Sequence, residues 1–308
     1  MELTEIQQSL LKDLTDLHAL PQGAFSLRVN GEMLKSNSTS EIEIIPHKNK
    51  KGFKTVVKAG TKGKSLHIPV LIDQTTTEEV FNDFEIGDDC EILIVAGCGI
   101  HSSSNKSSQH NGVHSFKVGK NCVVRYVERH LGLGEKGEKI LSPTTNITLG
   151  KNSTFEIETT QIGGVSSSTR NTKAELFENA KLIVKEKVLT DKNQTTNTNF
   201  VVNLNGKNSR SEIVSRSVAK GKSLQHFEST LIGNNVCFGR VECDGIVLGN
   251  AKVSSLPKIV ANCADAELFH EAQIGKIAGS QLLKLMTLGL TKEEAENKII
   301  EGYLVGRR

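Results

Sequence analysis

Two short stretches, VGKNCVVRYVE (residues 118–128) and LGKNSTFEIETT (residues 149–160), share one pattern. Each begins with a Gly-Lys-Asn turn and continues into a short run in which apolar residues recur at every second position. Glycine and asparagine tolerate the positive φ angles that tight corners need. A period of two is typical of a half-buried β-strand. The pattern therefore predicts a sharp corner followed by a strand.

This unit of corner and strand recurs along the middle of the chain, at a spacing of about 27–32 residues followed by a half-unit. The other copies are IGDDCEILIVAG (86–97), FENAKLIVKEK (177–187, without the glycine), LNGKNSRSEIVSRS (204–217), LIGNNVCFGRVEC (231–243) and VLGNAKVSSL (247–256). Strands and tight turns at this spacing, with no helices between them, indicate the stacked coils of a parallel β-helix. An antiparallel sandwich or jelly roll is the alternative, because alternation alone does not give strand direction.

The two ends of the chain have a helical period instead. Apolar residues at helical spacing predict one helix over residues 4–20 and two more over 277–290 and 291–305. Between about residue 30 and residue 275 almost no helical period is found, so this span should be overwhelmingly β. We therefore expect three segments: an N-terminal helix within 1–25, a β-helix core domain over 26–275 and a C-terminal helical segment over 276–308.

Composition argues against several classes of protein. The 308 residues carry 38 Lys and Arg against 35 Asp and Glu, which is too balanced for a nucleic-acid-binding protein. Aromatic residues make up only 4% of the chain, and tryptophan is absent. Few side chains are therefore available to stack on bases or sugars. Without a signal peptide or a long apolar run, a cytoplasmic location and six reduced cysteines are expected.

One candidate site lies in AELFHEAQIGKIA (residues 266–278), another alternating stretch. His270 is the polar exception on its apolar face, and strict alternation places Glu271 on the opposite face. About one coil earlier, Cys243 occupies the apolar face of VECDGIVL. Thiolate, imidazole and carboxylate groups suit an iron centre. A lone histidine and a buried cysteine are more often core residues, and that alternative remains open.

A second candidate site is AGCGIHSSSNKSSQHNGVHSF (residues 96–116). Cys98, His101, His110 and His114 follow the spacing C-x2-H…H-x3-H, with ligand types that zinc prefers. The alternative is a polar loop with scattered histidines. The phosphate-binding loop G-x-x-x-x-G-K-[ST] is absent, so the chain is not expected to hydrolyse nucleotides itself.

Three stretches of the chain resemble the SufB/SufD family of iron–sulfur cluster assembly scaffolds. They are GCGIHSSSNKSSQHNGVHSFKVGKNCVVRYVE, VECDGIVLGNAKVSSLPKI and AELFHEAQIGKIAGSQLLKLMTLGLTKEEAENKIIEGYL, which together extend the resemblance over about residues 86–305. The last stretch is the most specific, because a His-Glu-Ala strand and two short helices follow in the family's order. The chain is most similar to the short members of the family.

The resemblance implies a right-handed parallel β-helix with flanking helices, and a non-enzymatic scaffold role. Cys243 matches the cysteine implicated in cluster assembly, and His270 and Glu271 match a His-Glu pair near the subunit interface. The scaffold would hold a transient Fe–S cluster and use ATP only through a SufC-like ABC ATPase docked on the C-terminal helices. A homodimer is the simplest closed assembly, with a sulfur donor and apo-protein clients as further partners. The alternative function is a β-helical carbohydrate-binding or adhesive protein.

Overall fold

The computed structural model describes residues 3–17 and 19–305 of the chain. Residues 1–2, 18 and 306–308, which belong to the predicted terminal segments, lie outside the described residues. In the described part, twenty strands lie between one N-terminal helix and two C-terminal helices. None of the helices in that part is long and apolar enough to cross a membrane.

The strands of the described chain form two ten-stranded sheets that face each other. Sheet A has the spatial order β2 (Glu32–Asn37), β1 (Ala24–Val29), β5 (Lys64–Ile72), β7 (Glu91–His101), β9 (Val123–Leu133), β12 (Thr154–Ile162), β14 (Lys181–Thr190), β16 (Ser209–Ala219), β18 (Cys237–Val247) and β20 (Ala266–Gly275). Sheet B has the order β19 (Lys252–Ala261), β17 (Leu224–Gly233), β15 (Thr195–Leu204), β13 (Ser167–Leu176), β10 (Lys139–Leu141) with β11 (Thr144–Leu149), β8 (Ser108–Val118), β6 (Thr77–Ile86), β4 (Gly52–Val57) and β3 (Ile42–Pro46).

Each coil of the solenoid contributes one strand to sheet A and the next strand to sheet B. From β4 and β5 onwards, strands of successive coils pair in parallel, as in β14 with β16 and β16 with β18. Antiparallel pairing occurs at the N-terminal end of the described chain, between β1 and β2 and between β3 and β4. The predicted parallel β-helix is therefore confirmed, and the antiparallel sandwich is wrong.

The corners that the Gly-x-Asn pattern predicts form a ladder along one edge of the solenoid. Asn121, Asn152, Asn179 and Asn208 all have φ between 54° and 59°, the left-handed conformation. Each side-chain amide donates to the corner residue one coil earlier, at 2.9–3.2 Å, and the ladder starts at Asp89. The ladder partners are 32, 31, 27 and 29 residues apart, which agrees with the predicted coil length.

The core between the sheets is built from rows of equivalent residues on successive coils. Because side chains alternate along a strand, every second residue points inward. One such row stacks Phe84 on Phe116 with their ring centroids 4.4 Å apart. A second row, in sheet A, consists of buried residues from neighbouring coils: Ile94, Tyr126, Ile157, Val184, Ile213 and Val241.

The first and the last helix cover parts of the outer face of sheet A. Helix α1 (Glu5–Thr15) is shorter than predicted, because Asp16 takes a left-handed conformation and caps it. The Asp16 carboxylate is held by Arg129 at 2.7 Å, a tertiary contact that the local pattern does not show. Helices α2 (Gly279–Thr287) and α3 (Lys292–Val305) confirm the two helices predicted at the C-terminal end.

Candidate functional site at the open end of the solenoid

Cys243 lies on the inner face of β18, one coil below the last strand of sheet A. It continues a row that is polar rather than apolar, in which successive members are in register: Glu128, Thr159, Glu186, Ser215 and Cys243. Ala272 of β20 is the next residue in that row. Cys243 is therefore the last polar residue of this row, and only one further coil, with Ala272, covers it.

The thiol of Cys243 is protonated in the free chain at neutral pH. The residue is 1% exposed. Burial raises the pKa of the thiol to about 11, and the negative charge of Glu186 acts in the same direction. A metal ion that bound this sulfur would have to displace the proton, because the thiolate is the metal ligand.

His270 occupies the end of the apolar row of sheet A, opposite Val241 in the parallel register. Its Nδ1 lies 3.4 Å from the Ser229 hydroxyl, and its buried Nε2 has no hydrogen-bond partner within the described part of the chain. Burial lowers the pKa of the imidazole, so the ring is neutral and can act as a nitrogen ligand. Both Cys243 and His270 thus face the same interior, on neighbouring coils.

Glu271 points to the other side of the strand, as the alternation predicts. Its carboxylate accepts a hydrogen bond from Arg240 at 2.8 Å on the outer face of sheet A, and its side chain is 62% exposed. Within a single chain, the carboxylate therefore does not reach the interior that holds Cys243 and His270.

The last coil leaves the C-terminal end of the solenoid open. Strands β19 and β20 are the terminal strands of their sheets. Among the described residues, each pairs with another strand along one edge, and the other edge has no strand beside it. Apolar side chains on these two strands are unusually exposed: Leu256 53%, Ile259 44%, Phe269 48% and Ile274 39%. Unpaired strand edges beside exposed apolar side chains are typical of an interaction surface.

The second candidate site does not form a four-ligand set. Cys98, His110 and His114 point inward and are buried, but His101 lies at the end of β7 on the opposite side of the strand from Cys98. His110 instead contacts the Glu78 carboxylate at 3.0 Å, and Tyr126 approaches His114 at 3.1 Å. No group of three or more His, Cys, Asp or Glu side chains that could hold a metal ion occurs among residues 3–17 and 19–305.

Sequence reasoning missed a buried ionic network in the middle of the solenoid. Arg170 forms an ion pair with Glu128 and lies 3.8 Å from Glu186, and all three side chains are at most 7% exposed. Burial alone would raise the pKa of Glu128, but Arg170 and His130 hold it well below its usual range. The signal was present in VVRYVERH, where Glu128 and His130 share the strand face of Tyr126.

Helices α2 and α3 differ in how they meet the solenoid. Ile300 and Leu304 of α3 pack on Val218 of sheet A. Helix α2 buries none of its residues, and Leu283 is 62% exposed and Met286 41% exposed. Helix α2 therefore presents exposed apolar side chains that the described part of the chain does not cover.

Comparison with known proteins identifies the family. The model of the SUF system FeS cluster assembly SufBD core domain matches residues 84–303. An iron–sulfur cluster assembly SufBD family protein of Methanocaldococcus jannaschii is 28% identical over 260 residues, covering 82% of this chain and 80% of the relative. A SufBD family protein of Pyrococcus horikoshii is 34% identical over 204 residues, covering 65% of this chain and 61% of the relative.

A third relative, from Archaeoglobus fulgidus, is 26% identical over 247 residues, covering 79% of this chain and 66% of that SufBD family protein. The matched residues 84–303 contain the solenoid coils from β7 onwards, the open end with Cys243 and His270, and nearly all of the C-terminal helices. The chain belongs to the SufBD family of iron–sulfur cluster assembly proteins.

Proposed function

We propose that this chain is a scaffold that holds a nascent Fe–S cluster and works with a SufC-like ABC ATPase. The observation that carries the proposal is the pairing of Cys243 and His270. In a chain of the SufBD family, both side chains face the interior on neighbouring coils at the open end of the solenoid. Thiolate and imidazole are ligands that suit iron in such clusters.

The assembly reaction needs each group in a different role. Cys243, once deprotonated, supplies a soft sulfur ligand for iron. The neutral His270 supplies nitrogen through Nε2, which has no hydrogen-bond partner among residues 3–17 and 19–305. Glu271 supplies a hard oxygen ligand, but only to a site formed outside its own solenoid, because it lies on the outer face. Iron and sulfide are the cargo of the scaffold, and ATP hydrolysis belongs to the partner.

A second copy of the same chain is the proposed occupant of the open end. In an isologous dimer, the unpaired edges of β19 and β20 would meet their counterparts, and the exposed Leu256 and Phe269 would be covered. Such an interface would also bring Glu271 of one copy towards Cys243 and His270 of the other.

The proposed dimer is tested by introducing a charged side chain on β20, the last strand of sheet A. We expect the parent chain to sediment at twice its 33.5-kDa mass and Phe269→Lys to sediment as a monomer. Val123→Lys is the matched control, because Val123 is 47% exposed on the outer face of the same sheet, far from its edge. A dimer that survives Phe269→Lys and falls apart with Val123→Lys would place the interface elsewhere.

The scaffold role is tested by anaerobic reconstitution with iron and sulfide, followed by visible absorption and by iron and sulfide content. Cys243→Ser is expected to reduce cluster loading about tenfold or more, because a poorly ionised hydroxyl replaces a soft ligand. Cys237→Ser is the matched control: Cys237 lies on the same strand and is also buried.

Glu271→Gln is expected to weaken loading as well, because an amide carries no charge for the metal ion. If Cys243→Ser and Glu271→Gln both load iron and sulfide as the parent does, then Cys243 and His270 are core residues and the scaffold site lies elsewhere. Equal losses in Cys243→Ser and Cys237→Ser would point to a general effect on the fold.

A further inference from the structure

A groove crosses the outer face of sheet A between helices α1 and α3. It lies over strands β9, β12 and β14, between the parts of the sheet on which the two helices pack. Thr15 and Asp16 at the end of α1 form one wall, and Ile300 and Leu304 of α3 form the other. The volume of the groove is about 660 Å³. Sites for small molecules typically have volumes of roughly 300–1,000 Å³.

The floor of the groove is apolar on both sides of a polar row that crosses it. Leu93, Val95 and Val127 lie on one side of this row, and Ile162 and Leu189 lie on the other. Ile162 is 45% exposed, so the described part of the chain leaves much of this large apolar side chain uncovered. An exposed apolar floor between two walls is typical of a site for a ligand with an apolar body.

The polar row consists of Arg129, Thr160 and Lys187, which the parallel register places side by side on β9, β12 and β14. Since neighbouring strands are about 4.8 Å apart, the backbones of the two cations are about 9.6 Å apart, with Thr160 between them. The Arg129 guanidinium is already held by the Asp16 carboxylate at 2.7 Å. Lys187 is therefore the cation of this row that remains available to a ligand.

The charges along the groove leave one cation without a carboxylate of its own. Glu158 is shared by two cations, Lys187 at 3.1 Å and Arg125 at 3.6 Å. Because one carboxylate balances only one of two cations, this group has one positive charge in excess. The carboxylate of Glu301, at the wall formed by α3, is paired with Lys298 at 3.0 Å and does not offset that charge.

Two further charges next to this group balance each other. Glu156 is the neighbour of Arg125 in the register, and Lys185 is the neighbour of Glu158. Neither side chain lines the groove. The groove therefore combines an apolar floor with a single positive charge in excess, and charge complementarity favours a ligand with one anionic group.

We propose that this groove binds a small organic anion with an apolar body, of the class of a free medium-chain carboxylate. Lys187 receives the anionic group above Thr160, and the apolar body covers Ile162 and Leu189 beside α3. The site lies on the outer face of sheet A, whereas Cys243 faces the interior from β18. The inference is therefore independent of the proposed scaffold role.

The test is calorimetry of the full chain with decanoate, and with decanol as the uncharged probe of the same length. The parent is expected to bind one decanoate per chain. Lys187→Gln should weaken decanoate binding about tenfold and leave decanol binding unchanged, because it removes a charged hydrogen-bond donor and keeps the apolar floor. Lys181→Gln is the matched control, because Lys181 lies on the same face of the same strand and pairs with Glu212 outside the groove.

A second variant tests the apolar floor. Ile162→Glu should weaken decanoate binding about tenfold or more, because it removes apolar surface and repels the carboxylate. Val123→Glu is its control, since Val123 is 47% exposed on the same face of sheet A and does not line the groove. Thermal unfolding checks that each variant is folded.

Two results would overturn the proposal. The groove is not the site if the parent binds no decanoate, or if Lys187→Gln and Ile162→Glu both bind decanoate as the parent does. If Lys187→Gln loses decanol binding as much as decanoate binding, the groove does not recognise an anion.

Sedimentation with phosphatidylglycerol vesicles separates a free anion from a membrane lipid. Because α1 and α3 rise on both sides of the groove, the parent is expected to stay in the supernatant. Co-sedimentation that both Lys187→Gln and Ile162→Glu abolish would make the groove a membrane contact, contrary to the proposal.

Discussion

Replacing Arg170 with methionine is expected to lower the free energy of unfolding by about 3–5 kcal/mol. Arg170 is 5% exposed and is the guanidinium that faces both Glu128 and Glu186 in the interior of the solenoid. Without it, two carboxylates are left in a region that excludes water. Removing one partner of a buried ion pair is far more costly than removing both, because the remaining charge has no compensation.

Urea unfolding at neutral pH measures this loss, and two variants serve as controls. Arg129→Met removes the exposed ion pair with Asp16 on the outer face and should cost less than about 1 kcal/mol. Arg170→Met combined with Glu128→Gln should recover about half of the loss or more, because the double variant leaves fewer uncompensated charges. An Arg170→Met protein that unfolds at the urea concentration of the parent would show that the network contributes nothing to stability.

Placing glutamates on helix α2, through Leu283→Glu and Met286→Glu, is expected to abolish co-purification with a SufC-like ATPase. Both side chains are exposed, and α2 has no buried residue of its own, so the change does not disturb packing within the chain. A charge in the centre of an apolar interface typically costs 2 kcal/mol or more, which corresponds to about a thirtyfold loss of affinity. Affinity purification of the co-expressed partners measures the effect.

The same substitution at the other end of the molecule is the control. Ile6 of helix α1 is 41% exposed, so Ile6→Glu introduces one of the two added charges on a helix that the docking proposal does not involve. Substitution is also preferable to deletion of the C-terminal helices. Ile300 and Leu304 cover Val218 of sheet A, so the deletion would expose it. If the α2 double variant still co-purifies with the ATPase, the docking surface lies elsewhere on the chain.

Much of the fold follows from local features of the sequence. The Gly-x-Asn corners predicted turns with positive φ, and Asn121, Asn152 and their equivalents adopt that conformation. Alternation predicted the faces of β20 correctly, with His270 inward and Glu271 outward. Helix α1 was predicted too long, because its end depends on the contact between Asp16 and Arg129, 113 residues apart.

The candidate site was only partly accessible to the same reasoning. His270 was found as the polar exception on the apolar face of its strand, and Cys243 by its place on the apolar face about one coil earlier, both with the support of the family resemblance. The ligand spacing of Cys98, His101, His110 and His114 predicted a set that the strand faces do not bring together. Glu186 was missed although the alternation of LIVKEKVL (residues 182–189) places it on the same strand face as Val184 and Val188.

Local features of the sequence predict where the corners fall, which residues share a strand face and that helices lie at both ends. These properties depend on backbone preferences and side-chain alternation within a few residues. Which residues of successive coils lie side by side follows only from the three-dimensional stacking, because the length of a coil varies between 27 and 32 residues. Stacking places Ala272 beside Cys243, and it brings Arg170 to Glu128, 42 residues earlier in the chain. Arg170 and Glu128 can be buried only when they meet, because removing a single unpaired charge from water costs too much free energy.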